Sequence, residues 1–247
     1  MQGRKKKNLE VCFSPALFHL YERQEVITVV ADIFRATTAI CTAFDHGVKR
    51  IIPVTSVENA RAYKDQGFLI AAERDGIKLD FADFGNSPYN FMQEDLDGTT
   101  IVYSTTNGTQ AIHRAASTHM VIIASFINLS AIADFLNHQA QDVVILCAGW
   151  KDRFSLEDAV FSGALAEKLL QSGDFDSACD SVTAAIDLWE TASADLMAYN
   201  QKFAHTHRLK SLMLDDVIEF CLTPDQSSKV PIFQQGEIMN HEDLILP

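Results

Sequence analysis

VITVVAD, residues 26–32, is an unbroken apolar, largely β-branched run that stops on a carboxylate. A strand with one wet face would alternate apolar and polar residues, whereas a continuous run suits a strand buried on both faces. The same signature recurs in RIIPV (50–54), FLIAA (68–72), TIVYS (100–104), MVIIAS (120–125) and DVVILCAG (142–149). Between these runs lie helix-like stretches at 36–46, 57–66, 108–117, 129–138 and 156–171. The alternation predicts an α/β fold of three layers, a mostly parallel or mixed sheet flanked by helices.

Downstream, residues 176–203 space their apolar side chains three and four apart, and LDDVIEFCL (214–222) continues the helical pattern. No low-complexity linker intervenes, which predicts one domain over residues 1–247 with a helical C-terminal extension at about 176–222. TPDQSSKVPIF (223–233) reads as a tail, and the basic start MQGRKKKNLEV (1–11) as a solvated terminus. The interval 75–97, containing FGNSPYN, lacks periodicity and reads as a long loop of the kind that often carries function.

A chain of 247 residues with 47% hydrophobic content can bury a full core. Its net charge of −13 disfavours any broad nucleic-acid surface, because phosphate neutralisation needs clustered Lys and Arg. A small anion remains a suitable partner, since a few cations, backbone amides and a metal ion can hold one. No apolar stretch has the length of a membrane span, and no signal-peptide core follows the basic start, so a cytoplasmic protein without a membrane partner is expected. A homo-oligomer is compatible with this reading. The cysteines (Cys12, Cys41, Cys147, Cys179, Cys221) are odd in number and form no C-x-x-C pair, which points to core packing.

Ligands of an open parallel sheet bind beyond the carboxyl ends of its strands. Those ends carry Asp32, Arg35, Thr37 and Thr38; the turn Ser104-Thr105-Thr106-Asn107-Gly108-Thr109; Asn128; and Lys151, Asp152, Glu157 and Asp158. The threonine-rich turn opens a helix, where free amides and the helix dipole favour an anion and hydroxyls add donors. The same residues also suit an N-cap. No P-loop is present, because the G-x-x-x-x-G-K-[ST] spacing is missing. Asp32 reads either as a helix cap paired with Arg35 or as a ligand, and SLED (155–158) is both a capping box and an acidic pair. Carboxylates gathered from separate strand ends suit a hard cation such as Mg²⁺.

DIFRATTAI (32–40), ERDG (73–76), FGNSP (84–88), TTNGTQAI (105–112), AG (148–149) and SLEDAVFSG (155–163) occur in the order and spacing of one family. Together they make the chain resemble the 2-phosphosulfolactate phosphatases, and HRLKSLMLDDVIEFCL (207–222) resembles that family's C-terminal helix. The resemblance implies an α/β, Mg²⁺-dependent phosphatase that converts 2-phospho-3-sulfolactate to sulfolactate and phosphate, a step of coenzyme M biosynthesis. It implies Asp32, Arg35 and Asp158 as catalytic, and Asp32, Glu157 and Asp158 as metal ligands. It also implies substrate contacts from Thr37, Thr38, Glu73, Arg74, Asn86, Ser87, Thr105, Thr106, Asn107, Gly108, Thr109 and Asn128. Ala72 and Phe34 depart from the glycine and leucine usual in the family. The D-x-D signature of aspartyl-phosphate phosphatases is absent, which favours attack by metal-activated water. A phosphomonoesterase for another small phosphorylated acid, or a non-catalytic phospho-metabolite binder, would use the same arginines and turn.

Overall fold

The structure is a computed structural model that describes residues 6–92 and 95–244. Its strands are β1 (Lys7–Cys12), β2 (Ile27–Ala31), β3 (Arg50–Pro53), β4 (Leu69–Arg74), β5 (Ile77–Lys78) and β6 (Thr100–Ser104). They continue with β7 (Met120–Ala124), β8 (Val143–Cys147), β9 (Phe175–Asp176), β10 (Pro231–Gln234) and β11 (Glu237–Asn240). The helices are α1 (Ala36–Asp45), α2 (Val57–Asp65), α3 (Pro88–Met92), α4 (Gly108–Arg114), α5 (Leu129–Asn137) and α6 (Leu156–Gln171). After these come α7 (Asp180–Ser193), α8 (Leu196–Tyr199), α9 (Ala204–Ser211), α10 (Ile218–Leu222) and α11 (His241–Leu244).

Among the described residues the strands form one sheet of 11, in the order β5-β4-β6-β3-β11-β10-β7-β2-β8-β1-β9. Every residue of β2 and of β8 is buried, as their unbroken apolar sequences require. β2 runs parallel to both β7 and β8, and the registers Ala31↔Ala124 and Ala31↔Cys147 bring their carboxyl ends level. Successive side chains of β2 face opposite cores. Ile27 and Val29 pack with Ile132 and Leu136 of α5 and with Val160 and Ala164 of α6. Val30 packs with Ala36, Ala39 and Ile40 of α1 on the other face. This is the expected three-layer α/β arrangement.

The two chain ends depart from expectation. Residues 1–5 lie outside the described residues, but Lys7–Cys12 is a strand and not a solvated terminus: it pairs in parallel with β8 and buries Leu9 and Val11. The presumed tail supplies the β10–β11 hairpin, whose strands pair antiparallel with β7 on one side and β3 on the other. The long 75–97 segment holds β5 and α3, and the helical stretch after residue 176 is divided among α7, α8 and α9.

The hairpin therefore joins two parallel blocks, β4-β6-β3 and β7-β2-β8-β1-β9. Three successive antiparallel pairings reverse the sense of one block relative to the other. In a flat sheet their carboxyl ends would lie on opposite edges. They meet instead around α1, whose core contains Val30 and Ile123 of one block and Ile51, Ile101 and Tyr103 of the other. The sheet must coil at the hairpin, and the β11–β3 register accordingly holds only Ile238↔Ile51.

Ile238 is fully buried at that junction. Ile238→Ala should destabilise the protein by about 2–5 kcal/mol in denaturant titrations, the cost of a core cavity, although it lies near the C-terminus.

Candidate active site

The turn after β2 is built by its own threonines. The Thr37 hydroxyl accepts from the Asp32 amide (3.0 Å) and donates to the Asp32 carbonyl (2.9 Å), and Thr38 Oγ1 donates to the Ile33 carbonyl (3.0 Å). Both side chains are fully buried, so their hydroxyls hold the turn and are not offered to a ligand. Asp32 Oδ1 accepts from the Ala36 amide at 3.3 Å. Asp158 accepts from the Ile33 amide (2.9 Å) and the Gly149 amide (3.0 Å), one bond to each carboxylate oxygen. That clip ties the turn after β2 to the turn after β8.

The threonine-rich turn also satisfies itself. Thr105 Oγ1 accepts from the Thr109 amide, and Thr109 Oγ1 accepts from the Thr105 amide, both at 3.2 Å. Glu73 accepts from the Thr106 amide (2.6 Å), the Thr106 hydroxyl (3.1 Å) and the Gly76 amide (2.6 Å). The anion that fills this turn is thus a carboxylate of the protein itself, which corrects the expectation that Thr105, Thr106 and Thr109 receive the substrate there. Glu73 in turn is a partner of the turn and has no oxygen without a bond. Arg74 donates to the carbonyls of Glu73, Ser104 and Thr55 and to Ser104 Oγ, so its fork is occupied by structure. Asn128 is bonded to the Ser125 amide and to the carbonyls of Ile123 and Lys229, away from the other candidates. Gly108 is required by close approach: a Cβ there would lie 2.5 Å from Ala36 Cβ and 2.9 Å from Asp32 Oδ2.

What the strand ends do bring together is a narrow inner pocket of about 20 Å³, room for about one water. It is lined by Asp32, Arg35, Glu73, Asn86 and Asn107 among the expected residues. Arg35, Gly76, Asn86 and Leu212 also line an outer cleft of about 590 Å³, to which Ser87 contributes. Asn86 Oδ1 is held by the Tyr103 hydroxyl, and Asn107 Oδ1 accepts from the Lys151 amide at 2.9 Å. Trp150, His205 and Arg208 complete the inner wall and were not anticipated. His205 and Arg208 stand three residues apart on α9 and so share a face. A histidine and an arginine at helical spacing in an acidic chain were the available signal. The Arg208 guanidinium lies 4.3 Å over the Trp150 ring, and His205 meets the same ring edge-on at 5.2 Å. His205 Nδ1 lies 3.0 Å from Glu157 Oε1.

A family model described as 2-phosphosulpholactate phosphatase matches residues 12–236, which reach from the end of β1 past β10. A protein of Caldanaerobacter subterraneus subsp. tengcongensis, named "Probable 2-phosphosulfolactate phosphatase", is 37% identical over 89% of this chain and 92% of its own length. Proteins with the same name from Thermotoga maritima (38% identical, 84% and 89% covered) and Clostridium acetobutylicum (33%, 85% and 91%) are also similar. The chain belongs to the 2-phosphosulpholactate phosphatase family. It is a phosphatase, a hydrolase of phosphoric monoesters, and α9 with His205 and Arg208 falls within the matched region.

The inner pocket is electrostatically crowded. Asp32 has its pKa pushed up to about 7, first by burial and then by the carboxylates of Glu73 and Glu157, against the opposing Ala36 amide and Arg35. Asp158 is raised well above the ordinary carboxylate range by burial, then by Glu157 and Asp32. Two guanidinium groups face this crowd with few partners. Arg35 makes a single 3.4 Å bond to the Gly76 carbonyl. Arg208 makes no hydrogen bond or ion pair among the described residues, and its buried Nε has no partner.

The carboxylates do not assemble the expected three-ligand metal site. Asp158 has both oxygens on backbone amides and Glu157 is bonded to His205, so neither stands ready as a ligand, and Asp158 is a clip between turns and not a cavity acid. Among the described residues no three or more His, Cys, Asp and Glu side chains converge to hold a metal. Asp32 keeps one oxygen, Oδ2, free of hydrogen bonds beside the cavity. Since Mg²⁺ commonly binds through one or two carboxylates, waters and substrate phosphate, this donor set fits an ion that arrives with the phosphoryl group and not one caged by protein.

A carboxyl whose folded pKa is raised lends stability below its unfolded value of 3.8 and loses it as pH rises through about 7. Asp32→Asn removes that loss. Its melting temperature should exceed that of the parent by a margin that grows from about pH 4 to about pH 7 and then levels off, while phosphatase activity disappears. Differential scanning calorimetry across that range, with phosphate release measured in parallel, checks both.

Proposed function

We propose that this protein hydrolyses 2-phospho-3-sulfolactate to sulfolactate and phosphate in a Mg²⁺-dependent reaction. The carrying observation is that Arg35 and Arg208, both nearly without protein partners, face one pocket beside buried Asp32 in a chain of net charge −13. Desolvated guanidinium groups without anions are costly, and a phosphate ester bearing two further acidic groups supplies the missing charge. The names of the relatives give the same substrate.

The phosphoryl group sits where the inner pocket opens on the outer cleft, against Arg35 and the Asn86 amide, with Arg208 and the Asn107 amide facing it from the inner wall. Arg35 lines both spaces, so it also reaches the organic part of the substrate, whose carboxylate and sulfonate extend into the outer cleft past Ser87. Mg²⁺, when bound, neutralises charge on the phosphoryl oxygens, and Asp32 Oδ2 is the oxygen that would hold it. Asp32 has to give up its proton for that task, and the ion's charge favours the ionised form.

Phosphate release from 2-phospho-3-sulfolactate, 2-phospholactate and p-nitrophenyl phosphate, each with Mg²⁺ and with EDTA, tests the reading. The sulfonated substrate should lead, and EDTA should abolish turnover. Arg35→Gln and Arg208→Gln should each lower kcat/KM by about 10- to 150-fold, the worth of a charge-assisted hydrogen bond. Equal rates on 2-phospholactate would instead mark a phosphomonoesterase indifferent to the sulfonate, and full turnover in EDTA would remove the metal.

A further inference from the structure

We propose that His205 donates the proton that the departing oxygen of the substrate needs, with Glu157 as the residue that positions it. His205 is 8% exposed, yet its ring lines the inner pocket together with Asp32, Arg35 and Arg208. Nδ1 is taken by Glu157 Oε1 at 3.0 Å, and Nε2 has no hydrogen-bond partner among the described residues. Phe34 and Trp150 hold the ring edge-on, with centroids at 5.9 and 5.2 Å. A buried imidazole with one nitrogen locked on a carboxylate has its other nitrogen assigned to the cavity and cannot exchange the two roles by rotation.

The chemistry selects donation. Phosphoryl transfer passes through a loose transition state in which the bond to the leaving oxygen is largely broken and little bond to the nucleophile has formed. Charge therefore gathers on the departing alkoxide, a poor leaving group. As the ester O–P bond breaks, its electron pair stays on that oxygen, which takes the Nε2 proton of the imidazolium form, while Nδ1–H stays on Glu157. The water oxygen forms the new bond to phosphorus on the opposite side, its proton stays on the phosphate that forms, and solvent returns a proton to Nε2. The sum is ester plus water giving alcohol plus phosphate. Asp32 and Glu73 are the other buried acids among the described residues that line this pocket; both Glu73 oxygens are bonded to the amides of Thr106 and Gly76, so Asp32 is the one that could compete for the role, and the test separates them.

This inference rests on the phosphatase reading, and the experiment keeps the two apart. His205→Asn retains an N–H donor for Glu157 but has no counterpart of Nε2. The parent and this variant are compared on 2-phospho-3-sulfolactate and on its isostere with sulfur in the bridging position, whose thiolate leaves without a proton. His205→Asn should lose about 100-fold or more in kcat on the oxygen ester, the usual scale of general acid catalysis, and stay within about threefold on the sulfur ester. Glu157→Gln should show the same bias at smaller size. Equal losses on both esters would make His205 merely structural and overturn the proposal. So would a bias of this kind in Asp32→Asn and not in His205→Asn. A parent enzyme that releases phosphate from neither ester would instead sink the phosphatase reading, and the proton donor with it.

Discussion

Asp158 holds the pocket end of the molecule together. Its two carboxylate oxygens accept from the amides of Ile33 and Gly149, one in the turn after β2 and one in the turn after β8. Ile33 follows Asp32, and Gly149 precedes Trp150, so this single buried side chain fixes a charged group on one wall and an aromatic platform on the other. Gly149 has to be glycine there, at φ 64° and with a Cβ that would meet the Arg153 carbonyl oxygen at 2.2 Å. Trp150 then supports Arg208 by its face and His205 by its edge. The geometry of α9 over the pocket thus traces back to one carboxylate and two amides.

That arrangement concentrates acids where burial disfavours their ionised form. Asp32, Glu73, Glu157 and Asp158 are all buried, and Asp32 and Asp158 have raised pKa values in consequence. Glu73 and Asp158 are satisfied by backbone amides and Glu157 by His205, whereas Asp32 keeps an oxygen with no partner. The strain is therefore localised on Asp32, the acid lining the cavity whose Oδ2 has no hydrogen bond among the described residues, and a cavity wall is the usual place for a protein to carry charge it would be more stable without. The guanidinium of Arg208, stacked on Trp150 but without a hydrogen bond or ion pair among the described residues, is the complementary cost.

The sheet was legible wherever strands are buried on both faces, because an unbroken apolar run such as that of β2 has no other soluble home. β1 escaped notice because its charged and apolar residues alternate beside a basic terminus. The hairpin escaped because β10 begins on a proline and both strands are four residues long, although Gln235 and Gly236 take the positive φ values (53° and 88°) typical of a tight hairpin turn. Within the site, Asp32, Arg35, Asn86 and Asn107 were legible as polar residues at strand ends or in the loop beside them. Thr106 was misread because its amide belongs to Glu73, 33 residues earlier in the chain, and no local rule announces such a pairing. His205 and Arg208 come from a helix 170 residues beyond Asp32 whose local pattern says only that it is amphipathic.

The cavity lies at the seam between the two parallel blocks. Asp32 and Trp150 follow β2 and β8, whereas Glu73 ends β4, Asn107 follows β6 and Asn86 sits in the segment between β4 and β6. Among the described residues no direct ladder joins these blocks: they communicate through the β10–β11 hairpin and through α1 packed on α4. Gly108 marks one point of close approach, where a Cβ would meet Ala36 Cβ at 2.5 Å and the Asp32 carboxylate at 2.9 Å. The glycine that looked like an opening for a substrate anion is thus the contact that lets the two halves close on each other. A side chain there would push α4 off α1 and widen the seam, separating Asn107 from Asp32. The small residues of the threonine-rich turn allow two oppositely directed halves of a coiled sheet to present their carboxyl ends to one pocket.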